Sequence, residues 1–204
     1  MKELTIENLH KTYGTKTLLD GIDLSLRTGD RIGLIGPNGT GKSSFLKTIA
    51  GLETSDDGKM MAPQNYRIGY LDQNPDLDPD KTVLETIYDS SSPLVRLVHD
   101  YEDLRLQLEK DPENVSLQES FLRLSEKMTE QNGWDLETRA KSILTRLGLK
   151  NLSQKIGETS GGQQKRAGIA QVLTEAPDLL ILDEPTNHLD IASIQWLERY
   201  LATY

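Results

Sequence analysis

Apolar side chains recur at every second position in two stretches near the start of the chain. Leu4 and Ile6 alternate with polar neighbours within 2–8, and Ile22, Leu24 and Leu26 do so within 18–27. Each stretch predicts a half-buried strand. Lys11-Thr12-Tyr13-Gly14 reads as the turn between them, and Thr28-Gly29-Asp30 turns the chain into an unbroken apolar run, Ile32 to Ile35, of strand length. A bend of Gly, Pro and Asn follows. Phe45, Leu46 and Ile49 then fall at helical spacing, and Gly51 ends the helix. Ser55-Asp56-Asp57-Gly58 predicts a hairpin-type turn, and Tyr66 to Leu71 a further strand.

The period changes in the middle. Leu94, Leu97, Tyr101, Leu104 and Leu108 form one helical stripe; Leu117, Phe121, Leu124 and Met128 form another. Asp111-Pro112-Glu113-Asn114 separates them, so two helices of about 25 Å each share a narrow apolar seam. A third helix carries Leu136, Ala140, Ile143, Leu144 and Leu147 on one face and stops at Gly148. Ser160-Gly161-Gly162 precedes a helix over about 163–174. Leu179 to Leu182 is a buried strand ending in Asp183-Glu184, and Asp190 opens a last helix with Ile191, Ile194, Leu197 and Leu201 apolar.

Composition narrows the classes. The 204 residues carry a net charge of −9, which argues against a dedicated nucleic-acid or anionic-membrane surface. There is no cysteine, hence no disulfide and no thiolate metal site. No apolar run approaches the length of a membrane span, and the N-terminus has no signal-peptide core. These features fit the cytoplasm, and no direct membrane insertion is expected.

The chemistry concentrates on Gly36 to Ser43, which reads G-x-x-x-x-G-K-S between the apolar run and the helix. This is the phosphate-cradling loop in the context it requires. Gly36, Gly39 and Gly41 let consecutive N–H groups converge on one point, with Asn38 and Thr40 as ATP-binding positions of the same loop, and the helix start adds its dipole. Lys42 reaches the terminal phosphates, and the Ser43 hydroxyl ligates Mg²⁺. Asp183 and Glu184 end a buried strand. If that strand neighbours the run 32–35, Asp183 serves Mg²⁺ and Glu184 orients or deprotonates the attacking water.

In joint order, the loop at 36–43, Ser160-Gly161-Gly162-Gln163 and LLILDEP at 179–185 resemble the nucleotide-binding domain of an ATP-binding-cassette (ABC) protein over essentially the whole chain. The resemblance implies an α/β P-loop fold. Its parts are a RecA-like parallel sheet core, an N-terminal antiparallel β subdomain, and a helical subdomain with an inserted hairpin. It makes 1–204 a single domain truncated at its C-terminus: β subdomain and P-loop about 1–75, helical subdomain about 76–160, and the rest of the core about 161–204. It further implies ATP and Mg²⁺ as ligands. Tyr13 stacks on adenine, Ser44 touches the α-phosphate, and Gln73 meets Mg²⁺ and the water. Ser160 to Gln163 grip the ATP of a second cassette, on the same full-length chain or in a homodimer, and Asp190 is the D-loop aspartate that links the two.

The chain departs from the family pattern in three places. Thr159 stands where the signature loop has Leu, removing an apolar anchor. The segment between Gln73 and Ser160 is long. His10, His99 and His188 are the only histidines, and none is placed as the family's switch histidine. The native chain is therefore expected to continue past Tyr204 with an apolar strand ending in Ser-His.

Glu-Pro-Thr-Asn-His-Leu-Asp, 184–190, is similar to the ABC-F group, two-cassette proteins without a membrane domain, many of which act on ribosomes. Their first cassette carries a helical arm, which 94–131 resembles. That segment holds five basic and nine acidic side chains, a net −4, so it is a poor RNA clamp. Ribosome contact is expected through parts outside this chain. The leading expectation is an ABC-F type ATPase acting in translation. An ATP-binding subunit of a membrane transporter is the alternative. A non-hydrolysing ATP-gated module is a third reading, against which the Glu184 carboxylate argues.

Overall fold

The computed structural model describes residues 2–90, 92–187 and 189–204. They form two compact units, one running to Gln73 and including Ala176–Pro185 and Tyr204, the other Asn74–Glu175 with Thr186–Thr203.

In the first unit, β1 (Glu3–Tyr13) pairs antiparallel with β2 (Lys16–Arg27) on one side and β3 (Asp57–Met61) on the other. Helix α1 (Lys42–Ile49) follows the glycine loop. β4 (Ile68–Leu71) pairs in parallel with β5 (Leu179–Leu182). Leu4, Ile6, Leu9, Leu19, Ile49 and Ile181 make one buried cluster, with Phe45, Leu46, Ile68 and Leu179 half-buried against it. Apolar burial thus joins the antiparallel sheet, α1 and β5. Leu71 lies opposite Leu182, so β4 and β5 end level. Gln73 and Glu184 each lie two residues past that common end.

Three expectations change here. The segment 11–13 is strand, and only Gly14 and Thr15 turn. Lys11 is drawn in, its ammonium donating to the Thr54 carbonyl at 2.7 Å, while Thr12 N–H and Oγ1 both bind the Asp56 carboxylate at 2.6 and 2.7 Å. These long-range bonds extend the strand through a sequence that reads as a turn. Secondly, Asp57 and Gly58 belong to β3 rather than to a hairpin turn. Gly58, at φ 100°, lies so close to β1 that a Cβ there would come within 2.5 Å of the Asn8 carbonyl oxygen. Thirdly, 32–35 forms no strand and belongs to neither sheet among the described residues. β5 takes β4 as its partner, not this run, and Ile35 is 95% exposed. A strand exists through its ladder and its buried face; this run has neither.

In the second unit, α2 (Val83–Ile87) opens with a reciprocal Thr82–Glu85 capping box. The hairpin is α3 (Pro93–Lys110) and α4 (Val115–Glu130), followed by α5 (Gly133–Arg146), a 3-10 turn at Ile156–Glu158, α6 (Gly161–Glu175) and α7 (Ile191–Leu201). The seam is aromatic at its base: Tyr101 stacks on Phe121 at 5.0 Å and meets the Trp134 ring edge-on at 5.1 Å. The α5 face is buried as expected. In α3, the buried set also includes Val95, Val98 and Glu102. Glu102, 2% exposed, accepts from Arg105 Nε at 3.0 Å and is ion-paired with Lys141 Nζ at 3.1 Å. Part of the hairpin's charge is therefore internal. Ile191, expected on the apolar face of the last helix, is exposed, whereas Leu197 is buried.

Candidate nucleotide site

The first unit contains a cavity of about 560 Å³ lined by Tyr13, Lys16, Leu18, Asn38, Gly39, Gly41, Lys42, Ser43, Ser44, Gln73 and Glu184. Each side is placed by its own element. Tyr13 closes β1 and faces Lys16 across the hairpin register; the residue is 78% exposed. The loop delivers Asn38 to Gly41. Gly41 takes φ 94° as the residue before α1, with no side-chain cap on that helix. A side chain is strained in that conformation, and the first-turn N–H groups are left without a capping side chain to serve.

Lys42 is folded back on its own loop, with Nζ donating to the carbonyls of Gly36 at 2.8 Å and Pro37 at 2.9 Å. Thr40 Oγ1 donates to the Pro37 carbonyl at 2.9 Å. Gly36 and Thr40 shape the loop from outside the cavity lining. Gln73 Nε2 donates to Glu184 Oε2 at 2.7 Å, and Glu184 holds a left-handed backbone, φ 45°. For a non-glycine residue that is strained, and it turns the carboxylate into the cavity.

Asp183 is set differently. It is buried at 6% exposure, its N–H donating to the Leu71 carbonyl at 2.9 Å, and it does not line the cavity. The Tyr70 phenol beside it is pushed well above its usual pKa, first by burial and then by the charges of Asp72 and Asp183. Lys47 of α1 pairs with Asp72 at 2.8 Å; the ammonium is held above its ordinary value chiefly by that hydrogen bond. The pair ties the P-loop helix to the residue preceding Gln73.

Two lining residues escaped the sequence reading. Leu18 is one of an ordinary apolar alternation. Lys16 lies in a turn-like Gly-Thr-Lys stretch, and only the hairpin register brings it beside Tyr13.

Ser160 to Gln163 and Asp190 belong to the second unit. Ser160 and Gln163 form a reciprocal cap at the start of α6: Ser160 N–H donates to Gln163 Oε1 at 3.0 Å, and Gln163 N–H donates to Ser160 Oγ at 3.3 Å. A Cβ on Gly161 would meet nothing within 4 Å, so packing inside this chain does not call for glycine there. Thr159 anchors the loop by donating to the Ile156 carbonyl at 2.7 Å, while Ile156 itself is buried. Asp190 caps α7, accepting from Ser193 N–H at 2.8 Å; that bond holds its carboxyl below the ordinary value. His188 lies outside the described residues.

A family profile described as ABC transporter matches residues 19–187. The chain belongs to the ABC transporter family. Over its full length it is 48% identical to YfmR of Bacillus subtilis, described as an uncharacterized ABC transporter ATP-binding protein, of which it covers 32%. It is 34% identical to the energy-dependent translational throttle protein EttA of Mycobacterium tuberculosis, over 98% of this chain and 36% of that protein. The Escherichia coli EttA is 36% identical over 90% of this chain and 33% of its own length. This cassette thus spans about a third of the curated relatives it matches, and it is most like the ABC-F branch. Among solved structures, an ATP-binding subunit of an ABC transporter superposes with a TM-score of 0.69 at 22% identity, over 98% of this chain and 73% of that one. A dimeric ATP-binding cassette in a post-hydrolysis state with ADP and Pi gives 0.66 at 24% identity, covering 98% and 83%. These likenesses show the fold: the chain is a P-loop ABC cassette. No helix among the described residues is long and apolar enough to cross a membrane.

Proposed function

We propose that the chain is the N-terminal ATP-binding and hydrolysing cassette of an ABC-F type ATPase that works in the cytoplasm on translation. One observation carries the ATP reading: an exposed aromatic ring, a P-loop lysine, two helix-start serines, a glutamine and a carboxylate line the same cavity. The branch rests on Glu-Pro-Thr-Asn-His-Leu-Asp and on whole-chain similarity to proteins named as translational throttles.

In this reading Tyr13 stacks on the adenine, and Gly36 to Ser44 cradle the phosphates. Lys42 exchanges its two loop carbonyls for phosphate oxygens, so that its ammonium meets anionic acceptors in place of neutral ones. Ser43, Gln73 and Asp183 are hard oxygen donors suited to Mg²⁺. When bound, Mg²⁺ neutralises charge on the triphosphate. Glu184 accepts a proton from the attacking water, and the Gln73 amide fixes the orientation of its carboxylate.

A second cassette supplies the opposing Ser-Gly-Gly loop, and this one returns Ser160 to Gln163 and Asp190. The 204 residues alone bind ATP or ADP and turn over little. Any ribosome contact runs through parts outside this chain. The domain partition proposed is that of the sequence: β subdomain with P-loop, helical subdomain with arm, remainder of the core.

The transporter alternative is favoured by the family description itself. Sedimentation of the full-length protein with ATP decides between the two. Glu184→Gln protein that co-sediments with ribosomes in an ATP-dependent manner supports the translation reading; retention on membranes with a spanning partner supports the other.

A further inference from the structure

Lys42 is not the only ammonium on the glycine loop. Lys16 Nζ donates to the Gly39 carbonyl at 2.7 Å, three residues along from the Gly36 carbonyl that holds Lys42. The loop is flanked by a cation from α1 and a cation from β2. Both line the same cavity, and both are seated on neutral carbonyls. Lys16 forms no salt bridge among the described residues, whereas Lys11 and Lys47 of the same unit each have a carboxylate partner. The one carboxylate on the cavity wall, Glu184, is engaged by Gln73. An ammonium on a carbonyl oxygen gains by moving to an anionic oxygen.

Register fixes where it acts. Tyr13 and Lys16 are directly opposed at the end of the β1–β2 hairpin, so ring and ammonium project from the same face of the sheet. On the ATP reading, a polyphosphate running from a base on Tyr13 into the loop would pass Lys16, which sits at the Gly39 carbonyl.

We propose that Lys16 is a second phosphate-binding cation of this site, gripping the nucleotide's phosphate chain from the β2 side and setting its preference for polyphosphorylated nucleotides. The inference rests on the ATP reading above. The step is a change of partner: Nζ leaves the Gly39 carbonyl for a phosphate oxygen, with no covalent chemistry.

The test is isothermal titration calorimetry of the 204-residue chain with MgATP, MgADP and AMP, in wild type, Lys16→Met, Lys16→Glu and Lys16→Arg. Tripolyphosphate competition against bound ADP reports on the phosphate chain without a base. A charge-assisted hydrogen bond at a partly exposed site predicts that Lys16→Met weakens MgATP by about tenfold. The expected loss is smaller for AMP, larger in Lys16→Glu, and largely restored by Lys16→Arg. Tripolyphosphate competition should weaken in parallel. Equal losses for AMP and ATP would overturn the inference, since Lys16 would then only brace the loop through Gly39. Unchanged affinities in Lys16→Met and Lys16→Glu, with wild type binding MgATP, would overturn it and leave the ATP reading standing. No binding by wild type would remove the ATP reading and this inference with it. Matching thermal unfolding of the variants without nucleotide keeps a folding defect from passing as a binding one.

Discussion

Gln73 donates its amide N–H to Glu184 at 2.7 Å, although 111 positions separate the two residues in the chain. The bond exists because β4 and β5 pair in parallel and end level, Leu71 opposite Leu182. Its chemical sense is an amide donor orienting a carboxylate acceptor. Replacing Glu184 with Gln keeps the side chain's size and removes the base. In the full-length protein, Glu184→Gln should bind MgATP as wild type does and lose steady-state turnover by about 100-fold or more. Phosphate release checks the rate and calorimetry checks the affinity; unaltered turnover would take Glu184 out of its assigned role.

Lys42 offers a ligand-linked readout. In the 204-residue chain, MgATP at 100 times its Kd should raise stability by about 2.7 kcal/mol, seen as an upward shift in thermal midpoint. Lys42→Ala should abolish most of that shift at the same concentration. Its own stability without nucleotide should change little, since the lost bonds go to partly exposed loop carbonyls.

Glu102 is a structural counterpart, a buried carboxylate between Arg105 and Lys141. Glu102→Ala removes the acceptor and leaves two cations facing a small void. With both cations partly open to solvent, the cost should be about 1–3 kcal/mol in urea unfolding. A variant as stable as wild type would show that the pairings carry no net stabilisation.

Gly58 is packed so closely on β1 that a Cβ would lie 2.5 Å from the Asn8 carbonyl oxygen. Its φ of 100° is itself costly for alanine. Gly58→Ala should therefore destabilise by about 2–4 kcal/mol, readable as a lower denaturant midpoint. An unchanged midpoint would mean that β1 and β3 can separate without cost.

Asp178 predicts a pH dependence. Its carboxylate accepts from Arg67 N–H and from Lys2 Nζ, both at 2.9 Å. The Arg67 bond, then the Lys2 bond, hold its pKa below the ordinary 3.8. A lowered folded-state pKa means stability that is complete above 3.8 and is lost as pH falls through the lower value. Asp178→Asn should lower stability at neutral pH by at most about 1 kcal/mol, the range of an ion pair at the surface, seen as a slightly lower thermal midpoint. The gap to wild type should stay constant down to mild acid and close below about pH 4. A gap that closes near neutrality would assign the effect to another group.

Local rules make much of this cassette legible in its sequence. The strand at Leu179–Leu182 follows from an unbroken apolar run and the α5 face from periodicity, because burial is what each element exists to achieve; the α4 stripe is buried at Met128 and half-buried elsewhere. The glycine loop is legible because its function needs particular residues at particular spacing. Pairing between distant segments has no such signature. It is the partner, not the composition, that makes 11–13 and 57–61 strand and denies a ladder to 32–35. The same holds for the site. The chain by itself marks Lys42, Ser43, Asp183 and Glu184 as chemistry. Only the hairpin register puts Lys16 beside Tyr13, and only the parallel pair β4–β5 brings Gln73 to Glu184, since hydrogen-bond ladders fix neighbours that sequence distance conceals.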